Sequence, residues 1–374
     1  MLLVLKMNFD YITKLLGNTK LIIKSVLDLV PALIVAIVVA VIASYGMNSL
    51  NKNFENILDN QAELKSKIKS ATKALNDWQN ANTEKLSSLL IEAIQNKAWP
   101  GCVLLGSKDG KIFIHEASGF HTYDKKREVR ESDIFDLASI TKVISTTSAI
   151  MKLYDNKLLD LDDPVISHLP EFKGKQKKYF DHKSSITIKD LLTHTSGLPP
   201  FRQYFLMKGS VDARLDSIYN TEPVFNLHET MVYSDVGIII LGKIVETISK
   251  VKLDVFVQSN IFDPLGMNNT FYNPPKEKLH RIVPTEIDPK GNLIKGYVHD
   301  ENAYSISGVA GHAGLFSKTK DLAIFSQMML NKGLYGWKRI FKSETVDLFT
   351  QRSCLLYTSP SPRDLSTSRM PSSA

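Results

Sequence analysis

Phe135-Asp136-Leu137-Ala138-Ser139-Ile140-Thr141-Lys142-Val143 is the stretch on which the reading of this chain turns. Ser139 and Lys142 stand three residues apart at the predicted start of a helix, and the small and apolar residues from Val143 to Met151 continue it. Positions i and i+3 share a helix face, so the hydroxyl and the amine can meet at one spot. A serine hydroxyl is a weak nucleophile until a neighbouring base takes its proton, and a desolvated lysine can be that base. Backbone N–H groups at a helix start are also free to hold an oxyanion. Ser-x-x-Lys arises by chance in long chains, however, so its companions decide.

Three further stretches keep it company. Leu191-Leu192-Thr193-His194-Thr195-Ser196-Gly197-Leu198-Pro199 reads as a helix end passing into a tight loop. A histidine at that position is expected to be structural, satisfying the last carbonyls and the helix dipole. Met231-Val232-Tyr233-Ser234-Asp235-Val236-Gly237 precedes an apolar helix over Ile238–Ile248, which sets a phenol and a carboxylate near a cleft edge. The third is the pair of segments Gly296-Tyr297-Val298-His299-Asp300 and Gly308 to Ser317.

In this order and at these separations, the motifs resemble the serine β-lactamase and penicillin-binding superfamily. The nearest likeness is to its class C-like branch of esterases and D-Ala-D-Ala carboxypeptidases, including the membrane-anchored penicillin-binding protein 4B type. The resemblance covers roughly residues 83–353. It implies an α/β (α+β) fold of β-lactamase/transpeptidase type, with an antiparallel sheet, flanking helices and a mainly helical subdomain. It also implies that Ser139 is acylated, that Lys142 accepts its proton, and that Tyr233 relays a proton to the leaving group. The family's next polar side chain, usually asparagine, falls at Asp235. A carboxylate beside a lysine favours the ammonium form, which cannot act as a base. Two arrangements escape this conflict: Asp235 turns away from Lys142 and, with His299, contacts substrate, the arrangement preferred here, or Lys142 stays charged and Tyr233 is the working base. The family also has a Lys- or His-Thr-Gly strand that supplies half of the oxyanion hole. His312-Ala313-Gly314 imitates it but lies directly before a predicted helix over Asp321–Leu330, where the family has a glycine-rich turn. The strand itself is expected beyond residue 353.

Both ends are expected to lie outside that domain. Leu29–Met47 is an uncharged run that at ~1.5 Å per residue spans about 28 Å, close to a bilayer core, so it is read as a transmembrane helix. Lys14, Lys20 and Lys24 precede it and only Lys52 follows closely. That asymmetry places residues 1–28 in the cytoplasm and the remainder on the extracytoplasmic side of the membrane. Leu50, Phe54, Ile57, Gln61, Leu64, Ile68, Ala71, Leu75, Trp78 and Asn82 form a heptad seam, predicting a self-associating coiled-coil stalk over residues 48–82. Residues 354–374, beginning Cys354-Leu-Leu-Tyr-Thr-Ser-Pro-Ser-Pro-Arg-Asp, resemble the translation of a sequencing adapter and are excluded from the fold. Cys102 is then the one native cysteine, which excludes a disulfide framework.

Within the domain, Leu86, Leu89, Leu90, Ala93 and Ile94 predict a helix ending before Pro100-Gly101. Cys102–Leu105 and Ile112–Ile114 predict a hairpin across Lys108-Asp109-Gly110. The net charge of +7 is spread among 46 basic and 39 acidic residues, with no basic patch interleaved with aromatics, which argues against nucleic acid. His228-Glu229 lacks the second histidine that a helical zinc site needs, and no cofactor or metal is expected. The expected function is membrane-tethered acyl transfer on a peptidoglycan-type peptide, a β-lactam or a small ester. The alternative is a non-catalytic penicillin-sensing or wall-binding module on the same stalk.

Overall fold

The computed structural model describes residues 83–351, together with Ser66, Lys69, Ser70 and Lys73. The expected membrane run Leu29–Met47, nearly all of the stalk at 48–82 and the tail 354–374 lie outside the described residues. Among the described residues no helix is long and apolar enough to cross a membrane. The chain divides into two compact units, Met1–Ala98 and Trp99–Ala374.

The first unit contains α1 (residues 83–95), the helix predicted from the leucine stripe. It closes with Lys97 at φ 57° and the Ala98 N–H on the Ala93 carbonyl at 2.9 Å, a left-handed cap that satisfies a terminal acceptor.

The second unit opens with the hairpin β1 (Gly101–Lys108) and β2 (Lys111–Gly119), longer at both ends than the sequence suggests. Asp109 and Gly110 both take positive φ, 50° and 75°, the combination whose twist matches that of paired strands. A second small sheet does more for the site. β3 (Phe135–Asp136) and β4 (Phe271–Tyr272) flank β5 (Leu315–Ser317), all antiparallel. Ile134, Ile282 and Phe316 close a satellite core over it with Phe271. This sheet fastens the strand before Ser139 to the segment that follows the glycine-rich turn. A short ribbon, β6 (Leu334–Tyr335) with β7 (Lys338–Arg339), lies near the end of the described chain.

Helices make up the rest: α2 (Ser148–Asp155), α3 (Val165–His168), α4 (Phe180–Ser185), α5 (Ile188–Leu192), α6 (Val211–Tyr219) and α7 (Asp235–Ser249). After them come α8 (Leu253–Val257), α9 (Asp263–Leu265), α10 (Glu301–Ser305), α11 (Thr319–Leu330) and α12 (Ser343–Thr350). The middle of the unit is α7. Val236 to Leu241 is apolar apart from Gly237, and every residue of that run is buried, as expected of a helix that is hydrophobic all round. It packs on α2, α5 and α8, so the large core lies between them. α11 packs along β1, and at its first residue the Thr319 hydroxyl meets His115 Nε2 of β2 at 3.2 Å.

Candidate active site

Ser139 does not sit on a regular α-helix. Ala138–Ile140 is a 3₁₀ turn, Lys142–Thr147 is a wider π turn, and α2 begins only at Ser148. Two local bonds support this path. The Asp136 carboxylate accepts the Ala138 N–H at 2.8 Å, holding Ala138 at a positive φ of 45° just before the nucleophile. The Ser148 hydroxyl donates to the Val143 carbonyl at 3.0 Å, five residues back, where the loosened turn leaves that acceptor open. The sequence predicts one continuous helix here. Small hydroxyl residues bonding to their own backbone replace it with this irregular one.

The irregular path brings the predicted pair together. Lys142 Nζ lies 2.9 Å from Ser139 Oγ. The lysine is 5% exposed; its nitrogen donates to the His312 carbonyl at 3.2 Å and stands 2.8 Å from Asp235 Oδ1 in an ion pair that lacks hydrogen-bond alignment. A lysine ammonium carries N–H groups and no lone pair, so it can only donate to Ser139. A neutral amine has two N–H groups and one lone pair. With one N–H on the His312 carbonyl and the lone pair toward the Ser139 hydroxyl, it has the arrangement a general base needs.

Asp235 therefore corrects an expectation. It does not turn away from Lys142 but forms an ion pair with it, at 22% side-chain exposure. The reason lies at the start of α7. The buried Ser234 caps the helix, accepting the Gly237 N–H at 3.2 Å and donating to the Pro199 carbonyl at 2.7 Å. The Asp235 N–H bonds the Pro200 carbonyl at 2.9 Å, which pins the first residue of the helix against the loop.

Tyr233 is half exposed, and Lys142 Nζ stands 4.9 Å from the centre of its ring. The ring packs against His194 with centroids 4.8 Å apart. His194 has φ 61°, and its Nδ1 accepts the Ser234 N–H at 3.1 Å. Burial, reinforced by the nearby Lys142 charge and only partly offset by Asp235, pushes its pKa down to about 4. It is thus a neutral acceptor that positions Tyr233 and Ser234: structural, as expected, but holding an N–H and not the last carbonyls of the helix.

His299 sits at the site's edge. Its N–H donates to Asp136 Oδ2 at 2.9 Å, while its ring faces Glu286 at 2.8 Å and is 43% exposed. Asp136 thus joins the turn before Ser139 to the segment before α10. Its carboxyl is pushed up by burial, partly offset by these two N–H donors.

His312-Ala313-Gly314 is a buried turn leading into β5 and not an open strand. The glycine-rich segment is pinned under the nucleophile: the Thr146 hydroxyl donates to the Gly311 carbonyl at 2.6 Å. The Tyr272 hydroxyl reaches the Ala310 carbonyl at 3.1 Å and Ser145 Oγ at 2.8 Å. The Leu315 N–H donates to Thr141 Oγ1 at 3.1 Å. Sequence reasoning assigned no role to Asp136, Tyr272 or the His312 carbonyl. Asp136 and His312 lay in stretches already singled out; Tyr272 did not. Among the described residues no group of three His, Cys, Asp or Glu side chains is placed to hold a metal ion.

The family model described as "Beta-lactamase" matches residues 86–352. A Salmonella heidelberg protein named "Putative D-alanyl-D-alanine carboxypeptidase" is 35% identical over 292 residues, 70% of this chain and 68% of its own. An "N-acetylmuramyl-L-alanine amidase" of Bacillus subtilis is 34% identical over 306 residues, 73% of this chain and 69% of its own. The crystal structure of a class C β-lactamase from Rhodobacter sphaeroides superposes with a TM-score of 0.56 at 19% identity, over 70% of this chain and 68% of that one. At that identity it speaks for the fold alone.

Proposed function

This chain belongs to the β-lactamase family of serine hydrolases, and on that premise we propose that it cleaves a D-alanyl-D-alanine-type peptide through an acyl-enzyme on Ser139. The observation that carries the proposal is the 2.9 Å contact between Lys142 Nζ and Ser139 Oγ, made with the same nitrogen bonded to the His312 carbonyl and ion-paired with Asp235. Ser139 Oγ attacks the scissile carbonyl while its proton passes to neutral Lys142. The Ser139–acyl bond forms, the C–N bond breaks, and the proton moves on to the leaving amine with the Tyr233 phenol as relay. Water then attacks the ester, giving up one proton to the same lysine, and the acid and free serine return. The names of both relatives concern amide hydrolysis, which favours a peptide over an ester as the natural substrate. The uncharged run Leu29–Met47 and the lysines before it support membrane anchoring, with the catalytic unit on the extracytoplasmic side.

The test is labelling of the full chain by a fluorescent penicillin, together with release of D-alanine from a tripeptide ending in D-Ala-D-Ala. Ser139→Ala should abolish both. Labelling that survives Ser139→Ala overturns the assignment.

A further inference from the structure

Besides Ser139, Lys142 has one hydrogen-bond acceptor among the described residues, and it is a main-chain carbonyl in a turn rich in glycine. Gly308 and Gly314 both hold positive φ, 76° and 114°, so few side-chain sterics fix the peptide planes of this segment. Its neighbours are tied: the Gly311 carbonyl by Thr146, the Leu315 N–H by Thr141. His312 lies between those two ties. Its ring is 1% exposed and has one polar contact, Nε2 to Asp300 Oδ1 at 2.8 Å, while Nδ1 is buried with no hydrogen-bond partner. The ring is therefore anchored at one corner only, and that anchor is Asp300.

We infer that Asp300 is a positioning residue for the acylation step, acting through the His312 ring to aim the His312 carbonyl at Lys142. The chain of contacts is short: Asp300 Oδ1 to His312 Nε2 at 2.8 Å, and His312 carbonyl to Lys142 Nζ at 3.2 Å. Asp300 is suited to remain an acceptor. Burial would raise its carboxyl, but the His312 ring, the Ala303 N–H and the Lys142 charge outweigh burial and hold it below the usual carboxylate range. If the anchor is lost, the His312 peptide keeps only the ties at Gly311 and Leu315 and can tilt between them. One N–H of neutral Lys142 then loses its fixed acceptor, and the lone pair no longer points at Ser139 alone. The consequence is a slower proton transfer with unchanged substrate binding. This inference rests on Ser139 and Lys142 being the reacting pair.

Asp300 has a second task that the test must separate. It caps α10, accepting the Ala303 N–H at 2.8 Å. Serine is a good cap but too short to reach His312, whereas asparagine caps and still offers an oxygen to Nε2. Wild type, Asp300→Ser and Asp300→Asn should be compared as full chains by the pre-steady-state nitrophenolate burst from p-nitrophenyl acetate. Burst amplitude counts folded sites, so partial misfolding lowers the amplitude and leaves the rate constant alone. Asp300→Ser should slow the burst by about 10–100-fold, the scale of a small misplacement of a reacting group. Its substrate half-saturation should not move, and Asp300→Asn should recover most of the rate. Equal rate constants in the two variants, with wild type bursting normally, overturn the role of Asp300 while leaving Ser139 in place. Fluorescent-penicillin labelling that survives Ser139→Ala overturns the reaction at Ser139, and this inference with it.

Discussion

Asp235 Oδ1 lies 2.8 Å from Lys142 Nζ, so the residue that departs from the family's usual asparagine is paired with the general-base candidate itself. The carboxylate has two candidate tasks: holding Lys142 in place through the ion pair, or meeting a cationic group of the substrate from its partly exposed position.

Asp235→Asn separates these tasks, because the amide keeps the shape and drops the charge. The expected result is acylation slowed by a similar factor, about 10-fold, on a cationic and a neutral substrate, since Lys142 loses its ion pair and is held less well. Single-turnover acylation rates with the two substrates check it. A loss confined to the cationic substrate would show that Asp235 serves the substrate and not Lys142.

His194 gives a stability signature of known sign. Its pKa is about 4 in the folded chain, against an ordinary value near 6.5 when unfolded. Between those values the unfolded chain binds more protons, so stability falls as pH drops from about 6.5 to about 4. His194→Asn should remove this part of the acid sensitivity. Asparagine tolerates the left-handed backbone at φ 61° and can still accept the Ser234 N–H. Urea midpoints at pH 4.5 and 7 for the two proteins are the measurement, and parallel shifts in both would contradict the assignment.

How far the sequence reached is clear at particular residues. The i, i+3 spacing placed Ser139 beside Lys142, the Asp109-Gly110 pair located the hairpin, and the apolar run after Ser234 located α7. All three are local rules, in which the decisive partners lie within a few positions of each other. Asp235 was misread because its spacing from Tyr233 says that it is near the cleft but not which way its carboxylate points. That direction comes from Pro199 and Pro200, 35 positions from their partners Ser234 and Asp235. The His312 carbonyl left no trace in a side-chain motif, since any residue carries one. The strand Phe135–Asp136 is too short to show alternation and exists because β5 pairs with it.

Lys183 should make the fold more stable in mild alkali. It is 2% exposed, lies 4.3 Å from the centre of the Phe172 ring, and donates to the Tyr219 and Thr221 carbonyls. Burial pushes its pKa down to about 8, with Glu222 opposing. The unfolded chain therefore holds the extra proton between about pH 8 and the unperturbed value near 10.4, and stability rises with pH across that window. Lys183→Met should flatten this rise relative to wild type. Thermal melts at pH 7.5, 8.5 and 9.5 would reveal it, and an unchanged difference between the two proteins across that range would rule it out.

Gly311→Ala tests whether the glycine-rich turn must lie against α7 for Lys142 to be held. A Cβ at this position would stand 2.2 Å from the Ile238 carbonyl and 3.2 Å from Thr146 Oγ1. The first contact is with main chain in the middle of the buried helix, so the turn has to retreat. Overpacking of this kind costs about 1–3 kcal/mol. For a domain of this size that lowers the melting temperature by roughly 2–12 °C. The retreat also carries away the His312 carbonyl, next in the chain, and disturbs the Thr146–Gly311 bond. Acylation should therefore fall further than the lost folded fraction explains. The per-site burst rate, normalised to burst amplitude, measures that excess directly. A variant that melts early yet acylates at the wild-type rate per site would show that the turn supports the fold without aiming Lys142.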